Sequence, residues 1–202
     1  MKKVFLLAAT AALALPVLAQ EVAPKAEEPA QPREERRRES GMWPAFFAIC
    51  EYPDAYDVVG LRLTIPFSTR QENVTGIDLG LWGRSVTFEG LMLSILRNDV
   101  KDDLSGFQVG LYNSVGGGVL FGIQAGLWNE AGHMRGIQAG LWNEAGHMRG
   151  LQAGLVNVAG EARGLQVGLI NRSETMYGYQ VGIINIIRDA ELQFFPVLNI
   201  GF

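Results

Sequence analysis

Apolar and polar residues alternate at period two through most of the chain beyond residue 60, in units that each begin with a glycine. The first, third and fifth positions after that glycine are mostly aliphatic, which is the pattern of a strand with one buried face. The density of glycine and the lack of a helical period argue against helix here. The units are 14 or 16 residues long, because the glycines that open them are Gly60, Gly76, Gly90, Gly106, Gly122, Gly136, Gly150, Gly164 and Gly178.

Residues at the same position in successive units form columns, and three columns predict how the domain is built. The aliphatic columns, such as Ile123, Ala125 and Leu127, are expected to face the core. The other face carries glycine and glutamine, and asparagine closes each strand at a corner, where it tolerates a left-handed backbone. The amide columns predict ladders of stacked side chains formed by Gln108, Gln124, Gln138, Gln152, Gln166, Gln180, Asn113, Asn129, Asn143, Asn157, Asn171 and Asn185.

These columns predict an all-β repeat protein, and a β-solenoid with coils of about 14 residues is favoured. The phrase GIQAGLWNEAGHMR occurs twice without a change between Gly122 and Arg149. A stack of coils accepts one more coil without changing the direction of its neighbours, whereas one more strand reverses every later strand of a meander. A corner at Gly150 also lets Met148 join Leu151, Ala153 and Leu155 in one core.

An antiparallel up-and-down meander or barrel is the alternative fold. The chain ends with apolar residues at every second position up to Phe202, which resembles the closing strand of outer-membrane β-barrels. The strands between turns are also long enough to cross a membrane when tilted. Both folds remain open on the sequence alone.

The chain divides into three predicted segments. Residues 1–19 have a basic start, an apolar run and a small-residue cleavage site, which is the pattern of a secretory signal peptide. Residues 20–41 are rich in charge and proline and predict a disordered linker. Residues 42–202 form the β-repeat domain, with repeats from about 60 to 191 and a C-terminal capping strand at 192–202.

The stretch GLRLTIPFSTRQENVTGIDLGLWG, from Gly60 to Gly83, precedes units that read G-I/L-Q-x-G-L-x-N and the ending FFPVLNIGF. Over roughly residues 43–202 the chain resembles the bacterial surface-repeat proteins. That resemblance implies export and a repeat-built β-domain at or near the cell surface, and it implies no activity. The unit that begins at Gly90 departs from the repeat, because it lacks the glutamine and the second glycine, and an irregular or bulged coil is expected there.

Candidate chemistry is sparse. The net charge of −4 argues against nucleic acid as a partner, and the single cysteine, Cys50, excludes an internal disulfide. His133 and His147 share a repeat position, where stacked imidazoles either share a metal or are simply solvated. Glu130 and Glu144 with Arg135 and Arg149 predict surface rows of ion pairs. No catalytic set is present in the sequence, so no enzyme activity and no cofactor are expected.

One column is aromatic and predicts a contact stripe on the outer side of the domain. Its aromatic members are Trp82, Tyr112, Trp128 and Trp142, and the other members are expected to be Leu96, Val156, Ile170 and Ile184. A contiguous exposed apolar stripe marks a contact surface for a partner protein, a glycan, a membrane or a second copy. The alternative is that residues 42–57 fold back and cover the stripe.

The sequence therefore predicts an exported, non-enzymatic β-repeat protein of the bacterial envelope or cell surface. It is expected to work as a structural or binding scaffold in the periplasm, the outer membrane or the surface of a Gram-negative bacterium. A small outer-membrane β-barrel protein is the alternative function. The partner in the envelope or at the surface, an association with the outer membrane and the oligomeric state remain open.

Overall fold

The computed structural model describes residues 45–49, 57–67 and 73–202, which form a β-solenoid of about 8 turns with a spacing of about 15 residues. The predicted all-β class and the solenoid are confirmed. The described part of the chain contains no helix with the length and hydropathy of a membrane span. The strands are β1 Ala45–Ile49, β2 Asp57–Phe67, β3 Asn73–Ser85, β4 Thr87–Val100, β5 Leu104–Val109, β6 Tyr112–Val167, β7 Ile170–Ile187 and β8 Phe194–Gly201.

Successive coils lie in register and in parallel from β1 to β7, so like residues stack on like residues. Gly76, for example, pairs with Gly60 on one side and with Gly90 on the other. The alternative of an antiparallel meander is therefore wrong for these strands. Only β8 runs antiparallel, and it pairs with β7 at the end of the sheet order.

The coil that begins at Gly90 is bulged, as its irregular sequence predicts. Gly80 pairs with Ser94, but Trp82 pairs with Arg97, so β4 carries one more residue than β3 between the two pairs. Because of this bulge, the prediction that Leu96 belongs to the aromatic column is wrong. Arg97 occupies that column and pairs in turn with Tyr112.

The predicted orientation of the two faces is wrong, because the amides face inward and the aliphatic columns face outward. Each glutamine and asparagine of the two ladders has an exposed fraction of 0%, whereas Leu127 and Leu141 are 51% and 50% exposed. Met148 is buried at 1%, but it does not share a core with Leu155, which is 47% exposed. The apolar part of the core instead consists of two neighbouring columns of small or flexible side chains. The buried members of one column include Ala131, Ala145 and Ala159, and those of the other include Leu120, Met134, Met148, Ala162 and Met176.

Two amide ladders run along the interior and donate in opposite directions. Gln138 donates to the Gln124 side-chain oxygen at 2.8 Å, toward the preceding coil, and to the Glu144 carbonyl at 3.2 Å. Asn143 donates to the Asn157 side-chain oxygen at 2.8 Å, toward the following coil, and to the Ala153 carbonyl at 3.0 Å. The ladders thereby bond both the neighbouring side chains and backbone carbonyls, so the buried amide donors have partners.

The asparagines hold the corners by these hydrogen bonds and not by a left-handed backbone, so that part of the prediction is wrong. Among the described residues, Val197 is the one residue other than glycine with a positive φ. Glycine takes the left-handed positions, as at Gly150 with a φ of 137°. At Gly140, a Cβ would overlap the carbonyl oxygen of Gly126 and lie 2.6 Å from the Asn129 side-chain nitrogen. The narrow interior therefore requires glycine on the inward face.

The described part of the N-terminal segment extends the sheet. In β1, Phe47 and Ile49 pair with Leu61 and Leu63 as one more rung, so residues 45–49 do not cover the aromatic column. Residues 42–44 and 50–56 lie outside the described residues, as do Cys50, the predicted signal peptide and the predicted linker. Near this end the glutamine column is replaced by an ion pair, because buried Arg62 donates to Asp78 at 2.5 Å.

Candidate binding surface

The outward aliphatic columns form one continuous surface, the apolar face. It contains no charged side chain between the coil of Gly60 and that of Gly178, because its members are leucine, isoleucine, valine, alanine, phenylalanine and one tyrosine. Half exposure here means that neighbouring coils cover the sides of a residue while nothing covers its top. The more exposed members include Ile77, Ile95, Phe107, Leu111, Leu127, Leu141, Leu155, Leu169, Tyr179 and Ile183.

The aromatic stripe, defined by Trp82, Tyr112, Trp128 and Trp142, borders the apolar face in the four coils that contain these residues. Trp128 and Trp142 stack with ring centroids 5.0 Å apart, and Tyr112 stacks on Trp128 at 6.5 Å. The Arg97 guanidinium lies 4.5 Å from the Tyr112 ring centroid and 5.6 Å from that of Trp82. The bulge therefore places a cation where the aromatic column would otherwise be interrupted, and the predicted residues form one stripe.

A row of carboxylates follows the stripe and accepts hydrogen bonds from its aromatic groups. The Trp82 indole donates to Asp99 at 2.9 Å, and the Tyr112 hydroxyl donates to Glu130 at 2.5 Å. The Trp142 indole donates to Glu144 at 3.4 Å. These bonds occupy the polar edges of Trp82, Tyr112 and Trp142, so these residues present mainly their apolar parts outward.

We expect the phenol of Tyr112, the tyrosine of the aromatic stripe, to lose its proton at a higher pH than an ordinary tyrosine does. Burial, then the hydrogen bond and the negative charge of Glu130, raise the pKa of Tyr112 from 10.0 to about 12, although Arg97 opposes the shift. The neutral phenol is thus favoured by folding, and this contribution to stability is complete below pH 10 and is lost as the pH rises toward about 12. An ultraviolet titration of the folded protein measures the shift.

Tyr112→Phe should remove the phenolate absorbance change centred near pH 12 from that titration, and Glu130→Gln should lower the pKa of Tyr112. A Tyr112 phenol that ionises near its ordinary pKa of 10.0 in the folded protein would contradict the assignment.

The other predicted site residues have a structural place. Every ladder glutamine and asparagine is fully buried, so an outside ligand does not contact them. The predicted ion-pair rows are wrong for the duplicated coils, since the Glu130 and Glu144 carboxylates bond the stripe while Arg135 and Arg149 form no ion pair with any described residue. The sequence analysis did not predict that the aliphatic columns face outward. The inward glycines were the signal for this orientation, because they leave no room for leucine inside the coil.

No protein-family model matches this chain, and neither curated proteins nor solved structures gave a significant match.

Proposed function

We propose that the chain is an exported, non-enzymatic scaffold of the bacterial envelope or cell surface that assembles by packing its apolar face on that of a second copy. The observation that carries this function is the outward orientation of the aliphatic columns, with Leu111, Leu127, Leu141 and Leu155 each near half exposure. Export and surface location rest on the signal-like N-terminus and on the resemblance to surface-repeat proteins.

The size of the apolar face suits a protein interface. About 8 turns at a strand spacing of about 4.8 Å give a length of roughly 38 Å, and five residues across with the aromatic stripe give a width of roughly 17 Å. The footprint of roughly 650 Å² exceeds the apolar patch of an ordinary monomer. It approaches the area of about 800 Å² that each partner buries in a stable complex.

The geometry of the face favours a second copy as the partner. Two sheets pack face to face at about 10 Å when both present apolar side chains of regular spacing. Another copy offers a face of the same length, the same coil spacing and the same lack of charge. A two-fold axis through the centre of the face would bring identical columns together and close the assembly as a dimer.

The scaffold proposal is tested by the oligomeric state of residues 20–202 in analytical ultracentrifugation without detergent. We expect a β-rich dimer, and Leu155→Lys should raise its dissociation constant at least tenfold, because each dimer would then bury two unpaired ammonium groups. Circular dichroism should show the same β content for the variant, since Leu155 is 47% exposed in one copy.

Val158→Lys is the matched control, because Val158 lies in the same coil and is partly exposed but is not part of the apolar face. We expect it to leave the dimer unchanged. A wild-type protein that stays monomeric at high concentration, or that binds vesicles of neutral phosphatidylcholine as a monomer, would contradict assembly through this face. Saturable turnover by the purified chain would contradict the non-enzymatic part.

A further inference from the structure

A second surface lies apart from the apolar face, where the duplicated coils place histidine and arginine beside one another. A groove of about 320 Å³ is lined there by His133, Arg135, His147, Arg149, Glu161 and Arg163. Each copy of the repeated phrase contributes one histidine and one arginine to it. The arginines of successive coils stand about one strand spacing apart, roughly 4.8 Å, because they occupy the same repeat position.

The two imidazoles are arranged side by side. Their ring centroids are 4.7 Å apart and their planes differ by 7°, so the ring edges point in the same direction. Nitrogens of parallel rings at this distance do not converge on one zinc ion, which needs each ligand nitrogen about 2.0–2.1 Å away. Among the described residues, no group of three histidines, cysteines or acids is placed to hold a metal ion. Parallel imidazole edges suit a ligand that accepts hydrogen bonds from both.

The positive charge of the groove is only partly neutralised. Glu161 bonds Arg163 at 2.7 Å and lies 3.4 Å from the His147 ring nitrogen. The Arg163 guanidinium holds the pKa of the Glu161 carboxyl below its ordinary value, so this acid is ionised and committed to its neighbours. Arg135 and Arg149 are exposed and form no ion pair or side-chain hydrogen bond with any described residue.

The acids of the same coils are held elsewhere. Glu130 accepts the Tyr112 hydroxyl, and Glu144 accepts the Trp142 indole, on the side of the coil that carries the aromatic stripe. Gly132 and Gly146 separate these acids from the histidines. The two guanidiniums therefore face the solvent as a pair, with donors that no described residue occupies, beside two parallel imidazoles.

From this arrangement we infer that the groove binds an anion with two linked phosphoryl groups, one held by each of the duplicated coils. A guanidinium donates two parallel hydrogen bonds to phosphoryl oxygens and matches their geometry better than an ammonium does. Arg135 and Arg149 bind the two phosphoryl groups, and the edges of His133 and His147 donate to the remaining oxygens. The site is independent of the apolar face, so it stands whether or not the chain assembles.

Isothermal titration of residues 20–202 with inorganic pyrophosphate tests the site. We expect saturable binding that weakens as salt rises, and at least a tenfold weaker affinity in Arg135→Gln/Arg149→Gln, because two charge-assisted donors are lost. His133→Gln/His147→Gln should weaken binding less. Arg172→Gln/Arg188→Gln is the matched control, since it removes the half-buried Arg172 and the exposed Arg188, which both pair with Glu174 outside the groove. This control should bind as the wild type does.

Vesicles distinguish the source of the phosphoryl groups. Cosedimentation with vesicles of one part cardiolipin, whose headgroup links two phosphates, and three parts phosphatidylcholine that pyrophosphate abolishes would assign the site to lipid phosphates. Pyrophosphate binding without cosedimentation would assign it to a free phosphorylated compound. Absence of both kinds of binding, or binding that Arg135→Gln/Arg149→Gln leaves unchanged while circular dichroism shows the fold intact, overturns the inference.

Discussion

Deletion of residues 136–149 is expected to leave a folded β-solenoid that is shorter by one coil. The deleted segment is one complete copy of the repeated phrase, so Arg135 is followed by Gly150 as it was by Gly136. The glutamine ladder closes again from Gln124 to Gln152, and the asparagine ladder from Asn129 to Asn157. In a stack of this kind, stability is close to a sum of coil terms and nearest-neighbour terms, so only one coil and one interface are lost.

The same argument predicts that a smaller deletion does more harm. Removal of residues 136–142 leaves Asn143 to Arg149 as half a coil that lacks the ladder glutamine Gln138 and the positive-φ turn glycine Gly136. These seven residues must either loop out or break the register, and each choice leaves backbone groups of the neighbouring coils unpaired. Thermal unfolding followed by circular dichroism should give a lower melting temperature for the variant without residues 136–142 than for the variant without residues 136–149.

A higher melting temperature for the half-coil deletion than for the full-coil deletion would contradict the stacked arrangement. So would loss of β structure in the full-coil deletion. Insertion of a third copy of the phrase after Arg149 is the converse test, and it should give a folded protein that is longer by one coil.

Asn143→Ala is expected to lower the free energy of unfolding by about 3–5 kcal/mol, which is a large part of the stability of an ordinary domain. Asn143 is fully buried and takes part in three hydrogen bonds, which join it to Asn129, Asn157 and Ala153. Alanine leaves the Asn157 side-chain oxygen and the Ala153 carbonyl without this donor. No water is expected to replace the amide, because the turns above and below occupy the space.

Glu144→Ala is the control for this substitution, since Glu144 is the next residue and is exposed. Among the described residues, its only side-chain hydrogen bond is the long one from Trp142 at 3.4 Å. Its effect should stay within about 0.5 kcal/mol. Urea unfolding of both variants measures the difference, and hydrogen exchange should show that the loss of protection in Asn143→Ala is greatest in the coils on either side. A loss below about 1 kcal/mol would mean that the asparagine ladder contributes little to stability.

The sequence alone was enough to predict the all-β repeat, the amide ladders and an irregular or bulged coil at Gly90, and it favoured parallel stacking while leaving the antiparallel meander open. Each of these depends on residues at fixed spacing, and a fixed spacing has the same meaning in any coil. The sequence did not predict correctly which residues face inward. Alternation at period two separates Gln124 from Leu127 but does not say which of them is inside, and hydrophobicity alone predicts the wrong answer.

The width of the interior of a 14-residue coil determines which side chains face inward. The interior is too narrow for a column of leucines next to the backbone of the preceding coil, since even a Cβ at Gly140 would overlap the Gly126 carbonyl oxygen. It does admit an amide that bonds its own copy one coil away, because every donor then meets an acceptor along the stack. The binding surface depends on the same choice, since the aliphatic columns become available to a partner only when the amides are inside.

For the candidate sites, the sequence determined the aromatic column. Only the tertiary structure placed Arg97 in that column and left Arg135 and Arg149 without an ion pair to any described residue. A bulge moves a residue from one column to the next, and its position follows from strand pairing and not from local pattern. Glu130 and Arg135 are only five residues apart in the chain, but the coil turns between them. The acids therefore bond the stripe while the arginines face the groove, and this partition arises from the path of the backbone in three dimensions.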